Sequence, residues 1–169
     1  MSYSTVLHVY PNDRVEKFEE LRNGWHSAPL VWDLVWNRYG EKRHEYDDAM
    51  VAGERLWALQ DDPRLEHSER VVFCLTFDRF IVLRQDFELL AADVEAVGLG
   101  GHWPRICEIL RAERHVPALG FWWTSVSDNP LEGPWDEEAE EYGPPDWTTV
   151  INVYDHVANL ERTIGSVEA

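Results

Sequence analysis

The chain has 169 residues, 44% hydrophobic and 12% aromatic, which is enough apolar material for one domain with a real core and too much for a disordered chain. Its 32 acids against 15 lysines and arginines leave a formal net charge of −17. That balance argues against binding a phosphate backbone or an anionic membrane and favours a basic partner.

Ser4 to Tyr10 alternates as a short strand and Pro11 stops it. Asp13 followed by Glu16 resembles a capping box, and Val15, Phe18 and Leu21 then predict a helix of about three turns, ended by Gly24. Ser27 and Pro29 open a second helix, rich in Val31, Trp32, Val35 and Trp36, that closes at Gly40. Helical spacing of Tyr46, Ala49, Met50, Gly53, Leu56 and Trp57 predicts a third helix over 45–60, ended by Asp61-Asp62-Pro63.

The densest apolar run, Val71 to Leu83, is rich in β-branched and aromatic residues and predicts a buried strand or hairpin at the centre of the fold. Asp86 caps a helix through Phe87, Leu90, Val94 and Val97. Gly98-Leu99-Gly100-Gly101 fits no phosphate-binding spacing and reads as a flexible connection. Trp103, Ile106, Cys107 and Leu110 mark a fifth helix, Gly120 to Val126 a strand turned by Asn129-Pro130, and Thr148 to Tyr154 a last strand. Asp155 then caps a final helix ending at Gly165. The expected fold is a single α+β domain over 1–169, with a mixed or antiparallel sheet of about four to five strands and about six helices. The N-terminus has no secretion-signal pattern and no apolar run spans a membrane, so a cytoplasmic protein is expected.

The chemistry-bearing residues are scattered. None of the seven histidines shows HxH or HExxH spacing, and Glu41 with His44 is a lone ExxH pair that reads as solvated linker. Cys74 and Cys107 sit among core-type neighbours and read as buried free thiols. No nucleophile motif appears, so no catalytic residue, metal or cofactor is expected. The nine tryptophans serve the core, or in part an interface.

Two features remain. Thr5 to Tyr10 echoes Thr149 to Tyr154, and if the two strands lie side by side, His8, Tyr10, Asn152 and Tyr154 form one polar-aromatic patch. The segment 131–147, LEGPWDEEAEEYGPPDW, holds seven acids and no base and reads as a surface loop or short acidic helix. Its acids serve solubility, or else Trp135, Tyr142 and Trp147 anchor a basic partner steered by Asp136, Glu137, Glu138, Glu140, Glu141 and Asp146.

In this overall profile (small, acidic, Trp-rich, without a catalytic motif) the chain resembles the immunity proteins that bacteria make against their own secreted or contact-delivered toxins. The resemblance implies tight binding to a cognate toxin domain, often a basic nuclease, with carboxylates standing in for phosphates over its active site. Two alternatives stand beside it. One is an enzyme or small-ligand binder with a pocket near His8, Tyr10, Asn152 and Tyr154. The other is a structural or homo-oligomer-forming protein that uses the Trp32/Trp36 helix.

Overall fold

Alternation of apolar side chains across the pleat builds β1 (Tyr3–Val9), which sends Leu7 and Val9 to one face and Val6 to the other. The computed structural model describes residues 3–11, 14–22, 26–44, 47–77, 80–123, 131–146 and 150–168. β1 pairs antiparallel with β2 (Val15–Arg22) on one side and with β4 (Ala118–Trp122) on the other. β3 (Phe80–Leu83) pairs antiparallel with β4 and parallel with the short β7 (Ile151–Asn152). The sheet order is β2-β1-β4-β3-β7, a mixed five-stranded sheet. A separate two-stranded pair is formed by β5 (Trp135–Asp136) with β6 (Glu141–Tyr142).

Seven helices are present among the described residues, and with the sheet they make a single α+β domain, as the residue pattern predicts. They are α1 (Ala28–Tyr39), α2 (Ala49–Ala52), α3 (Glu54–Trp57), α4 (His67–Leu75), α5 (Phe87–Val97), α6 (Trp103–Ala112) and α7 (Val153–Glu168). Val6, Phe80, Val82, Leu119 and Phe121 of the sheet join residues of these helices in one large core. The opposite sheet face carries a smaller cluster, Leu7, Val9, Ile81, Ala118 and Trp122, against which Leu131 and Val150 pack.

Three expectations are corrected. The segment expected as a helix over 13–24 contains an edge strand, β2. Its register slips between Val6 and Leu7, whose partners are Glu19 and Lys17, so Phe18 is an extra, bulged residue. The bulge sends Val15 to the small cluster and Leu21 to the large core, although an unbroken strand would put both on one face. The Val71–Leu83 run is divided: residues up to Leu75 belong to α4, and only Phe80–Leu83 is strand. Every residue from Glu69 to Leu75 is buried, and a helix enclosed on all sides needs no polar stripe. The third helix is broken at Gly53 into α2 and α3, followed by a 3-10 turn over Ala58–Asp61.

Smaller differences concern the ends of elements. Asn152, not Asp155, caps α7: its Oδ1 accepts from the Tyr154 backbone N–H at 3.3 Å, and the helix runs on through Gly165. Asp78-Arg79, which interrupt the central apolar run, and the turn expected at Asn129-Pro130 lie outside the described residues, as do Gly24 and Thr148. Cys74 and Cys107 are free and buried. Burial pushes the Cys74 thiol up to about 12 and raises that of Cys107 as well. Trp36, Trp103, Trp122 and Trp123 are core residues, whereas Trp135 stays open to solvent. No helix among the described residues is long and apolar enough to cross a membrane.

Candidate functional site: an acidic hairpin

The acidic segment forms a β-hairpin rather than a loop or helix. Gly133 and Pro134 face Gly143 and Pro144 across its stem, where the Gly133 N–H donates to the Gly143 carbonyl (2.8 Å) and the Gly143 N–H to the Pro134 carbonyl (2.9 Å). A side chain at Gly133 would place its Cβ 2.1 Å from the Pro144 carbonyl oxygen, so the close approach requires glycine. Trp135 then pairs with Tyr142 and Asp136 with Glu141.

The turn is held from within. Asp136 Oδ1 accepts from the backbone N–H groups of Glu138 (2.9 Å) and Ala139 (3.1 Å). Glu140 takes a left-handed φ of 53° to close the turn. Asp136 is therefore a turn-forming residue. Four exposed carboxylates of the hairpin, those of Glu137, Glu138, Glu140 and Glu141, have no ion pair among the described residues. Elsewhere several arginines are engaged: Arg105 with Glu19 and Glu108, Arg111 with Glu88 and Glu95, Arg114 with Glu88.

Two aromatic rings complete the hairpin. Trp135 and Tyr142 meet edge to face, 5.0 Å between centroids at 71°, yet remain 52% and 56% exposed. The structure thus brings together seven of the nine predicted contact residues. Asp146 is exposed beyond the stem, and Trp147 lies outside the described residues.

The alternative patch is not assembled. β1 and β7 are separated in the sheet by β4 and β3. His8 sits opposite Leu119 on the large-core face, while Asn152 sits opposite Ile81 on the other. Tyr154 belongs to α7 and bonds Asp93. His8 instead stacks on Phe18 (4.4 Å) and lies 3.1 Å from Glu113, which also approaches His115 at 3.5 Å. No group of three His, Cys, Asp or Glu among the described residues could hold a metal ion.

The Trp32/Trp36 helix is likewise occupied by the chain's own packing. Trp36 is buried with its indole N–H on the Asp47 carbonyl (3.3 Å), and the Trp32 indole donates to Thr76 Oγ1 (3.0 Å). One feature has no counterpart in the sequence pattern: a cavity of about 270 Å³ at the C-terminal end of α1, lined in part by Trp36, Tyr39, Arg43 and Arg55. Its residues come from segments up to 28 positions apart, Trp36 to Arg64, and no local spacing marks them.

Comparison with protein-family models, with curated proteins and with solved structures finds no match.

Proposed function

We propose that this chain is an acidic protein-binding module that neutralises a basic partner, acting in the bacterial cytoplasm as an immunity protein that occludes the active site of a cognate toxin domain. The observation that carries the reading is the hairpin itself. Four exposed glutamates without ion pairs and two half-open aromatic rings stand on a stem ordered by its own hydrogen bonds. Unpaired carboxylates steer encounter with a cationic surface, and pre-positioned Trp and Tyr rings supply anchoring area at low entropic cost. A partner that presents arginine or lysine to nucleic acid offers matching chemistry, including cation–π contact with both rings.

The test is co-expression with the protein encoded beside this chain's gene. Expected are rescue of growth, a complex whose affinity falls with salt, and loss of both when Glu137, Glu138, Glu140 and Glu141 are changed to Lys. If that charge reversal leaves complex formation and its salt dependence unchanged, the hairpin is not the docking surface. If the neighbouring protein is neither toxic nor bound, the immunity reading falls.

A further inference from the structure

The cavity at the end of α1 is lined by Trp36, Tyr39, Glu41, Arg43, Arg55 and Arg64, together with Asp62. Its volume of about 270 Å³ lies just below the ~300 Å³ at which drug-sized pockets begin, so it suits a ligand of small-metabolite size. Three of its lining residues are arginines against two acids, in a chain whose acids outnumber lysine and arginine 32 to 15.

Two of these arginines already have partners. Arg64 forks the Asp62 carboxylate, with Nη2 at 2.6 Å from Oδ2, and the same nitrogen donates to the Tyr39 carbonyl at 2.9 Å. Arg55 pairs with the buried Asp47 carboxylate (3.3 Å), donates to the Glu41 carbonyl, and lies 5.2 Å from the centroid of the Trp36 ring. These contacts fix the walls and cancel two positive charges. What is left on the lining is one cation and one anion, Arg43 and Glu41, two positions apart on the segment leaving α1. Neither side chain has an ion pair or hydrogen bond among the described residues, and Glu41 acts on Arg64 only through the longer-range field. The Arg43 backbone is pinned, since its N–H donates to Asp47 Oδ2 at 2.9 Å. Among the described residues none of the five guanidinium N–H groups is engaged, and the side chain starts from an anchored backbone.

We propose that this cavity binds a free α-amino acid with an apolar side chain. The Arg43 guanidinium takes the carboxylate with two parallel hydrogen bonds, the Glu41 carboxylate takes the ammonium group, and the apolar wall of Tyr39, Ala58 and Leu59, above the buried Trp36, receives the side chain. The charge pattern selects this class. A phosphate dianion would meet the unpaired Glu41 and the field of a −17 chain, whereas a zwitterion carries no net charge for that field to repel. The site is independent of the hairpin and of the function proposed for it.

Calorimetric titration of the full chain with L-phenylalanine, L-phenylalaninamide and N-acetyl-L-phenylalanine tests the assignment, together with amide and indole N–H shifts by NMR. Expected is a Kd for L-phenylalanine of about 1 mM or tighter, at least about tenfold weaker binding of either blocked analogue, and shifts at the Trp36 indole and the Arg43 amide. Arg43→Gln should weaken L-phenylalanine to the level of its amide without changing the amide's own affinity. Glu41→Gln should do the same relative to the N-acetyl form. Both side chains are exposed, and circular dichroism confirms that the variants fold. The proposal is overturned if L-phenylalanine, L-leucine and L-tryptophan all fail to bind at about 10 mM, if the blocked analogues bind equally well, or if the shifts fall away from this cavity.

Discussion

The Tyr154 hydroxyl donates to Asp93 Oδ2 at 2.6 Å, while the other carboxylate oxygen, Oδ1, accepts from Ser68 Oγ at 2.7 Å. One carboxylate thus ties α7 and α4 to α5, and Asp93 is only 7% exposed. Replacing Tyr154 by Phe keeps the ring packing and removes one hydrogen bond from a buried charge. The expected loss is about 1.5–3 kcal/mol, read as a lower urea midpoint at unchanged m-value.

The same contact sets an alkaline limit. Burial first, and then the bond to Asp93, hold the Tyr154 phenol far above its ordinary value of 10, and burial lifts the Cys74 thiol from 9 to about 12. In both cases the folded state keeps its proton at a pH where the unfolded chain has lost it. The stabilisation is therefore complete below the unfolded pKa values and declines as pH rises through 9 and 10. Urea midpoints should fall between about pH 8 and 11, less steeply above 10 in Tyr154→Phe. Tyr39, raised by burial and by its bond to Glu69, retains part of the slope in that variant.

Elements that carry their own start and stop signals were legible in the sequence. Ser27, Pro29 and Gly40 bracket α1, and Asp86 and Gly98 bracket α5. β2 was not legible because its residues 15, 18 and 21 take helical spacing from a bulge, and a bulge arises only when β1 is alongside. α4 was hidden by burial on every side, which removes the polar stripe that distinguishes a helix from a strand. The hairpin's composition was plain but its conformation was not. The cues were Gly-Pro at both ends of the stem and the strand formers Trp135 and Tyr142 equidistant from the turn. The pairing of Arg55 with Asp47 and of Arg64 with Asp62, which leaves Arg43 and Glu41 as the spare charges of the cavity, is a property of the folded chain alone.

Gly101 separates two readings of the glycine-rich connection after α5. Its φ is +62°, and a Cβ there would lie 2.2 Å from the His26 carbonyl oxygen, which also accepts the His102 N–H at 2.8 Å. This is a tight docking point between the start of α6 and the residues before α1. Gly101→Ala should cost about 2 kcal/mol or more in thermal or urea unfolding. Gly100 has open space around it and no positive φ, so Gly100→Ala should lie within about 0.5 kcal/mol of the parent. Equal effects at the two positions would mean that the connection is loose.

Buried Arg70 gives a second paired test. Its Nη2 donates to the Asp62 carbonyl at 2.6 Å, its Nε to the Gln60 carbonyl at 3.1 Å, and its Nη1 to Glu161 at 3.2 Å. Arg70→Ala strips two backbone carbonyls of their donor and leaves a void beside α4, with an expected loss of about 3 kcal/mol. Glu161 is about a third exposed at its side chain, and water can replace it. Glu161→Gln should therefore lower stability by less than about 1 kcal/mol in the same urea measurement.

The hairpin can be tightened without adding a contact. Glu140 holds a left-handed φ of 53°, a conformation that costs a residue with a Cβ about 1–2 kcal/mol and glycine almost nothing. Glu137 opens the same turn without a positive φ, so glycine there only adds freedom to the unfolded chain. Each change removes one negative charge, which cancels that effect between the two variants. Glu140→Gly should slow hydrogen exchange at the Gly133 and Gly143 amides, whose bonds close the stem, and Glu137→Gly should speed it. A partner that selects the ordered hairpin should then bind Glu140→Gly more tightly than Glu137→Gly. The opposite order would mean that the turn opens on binding.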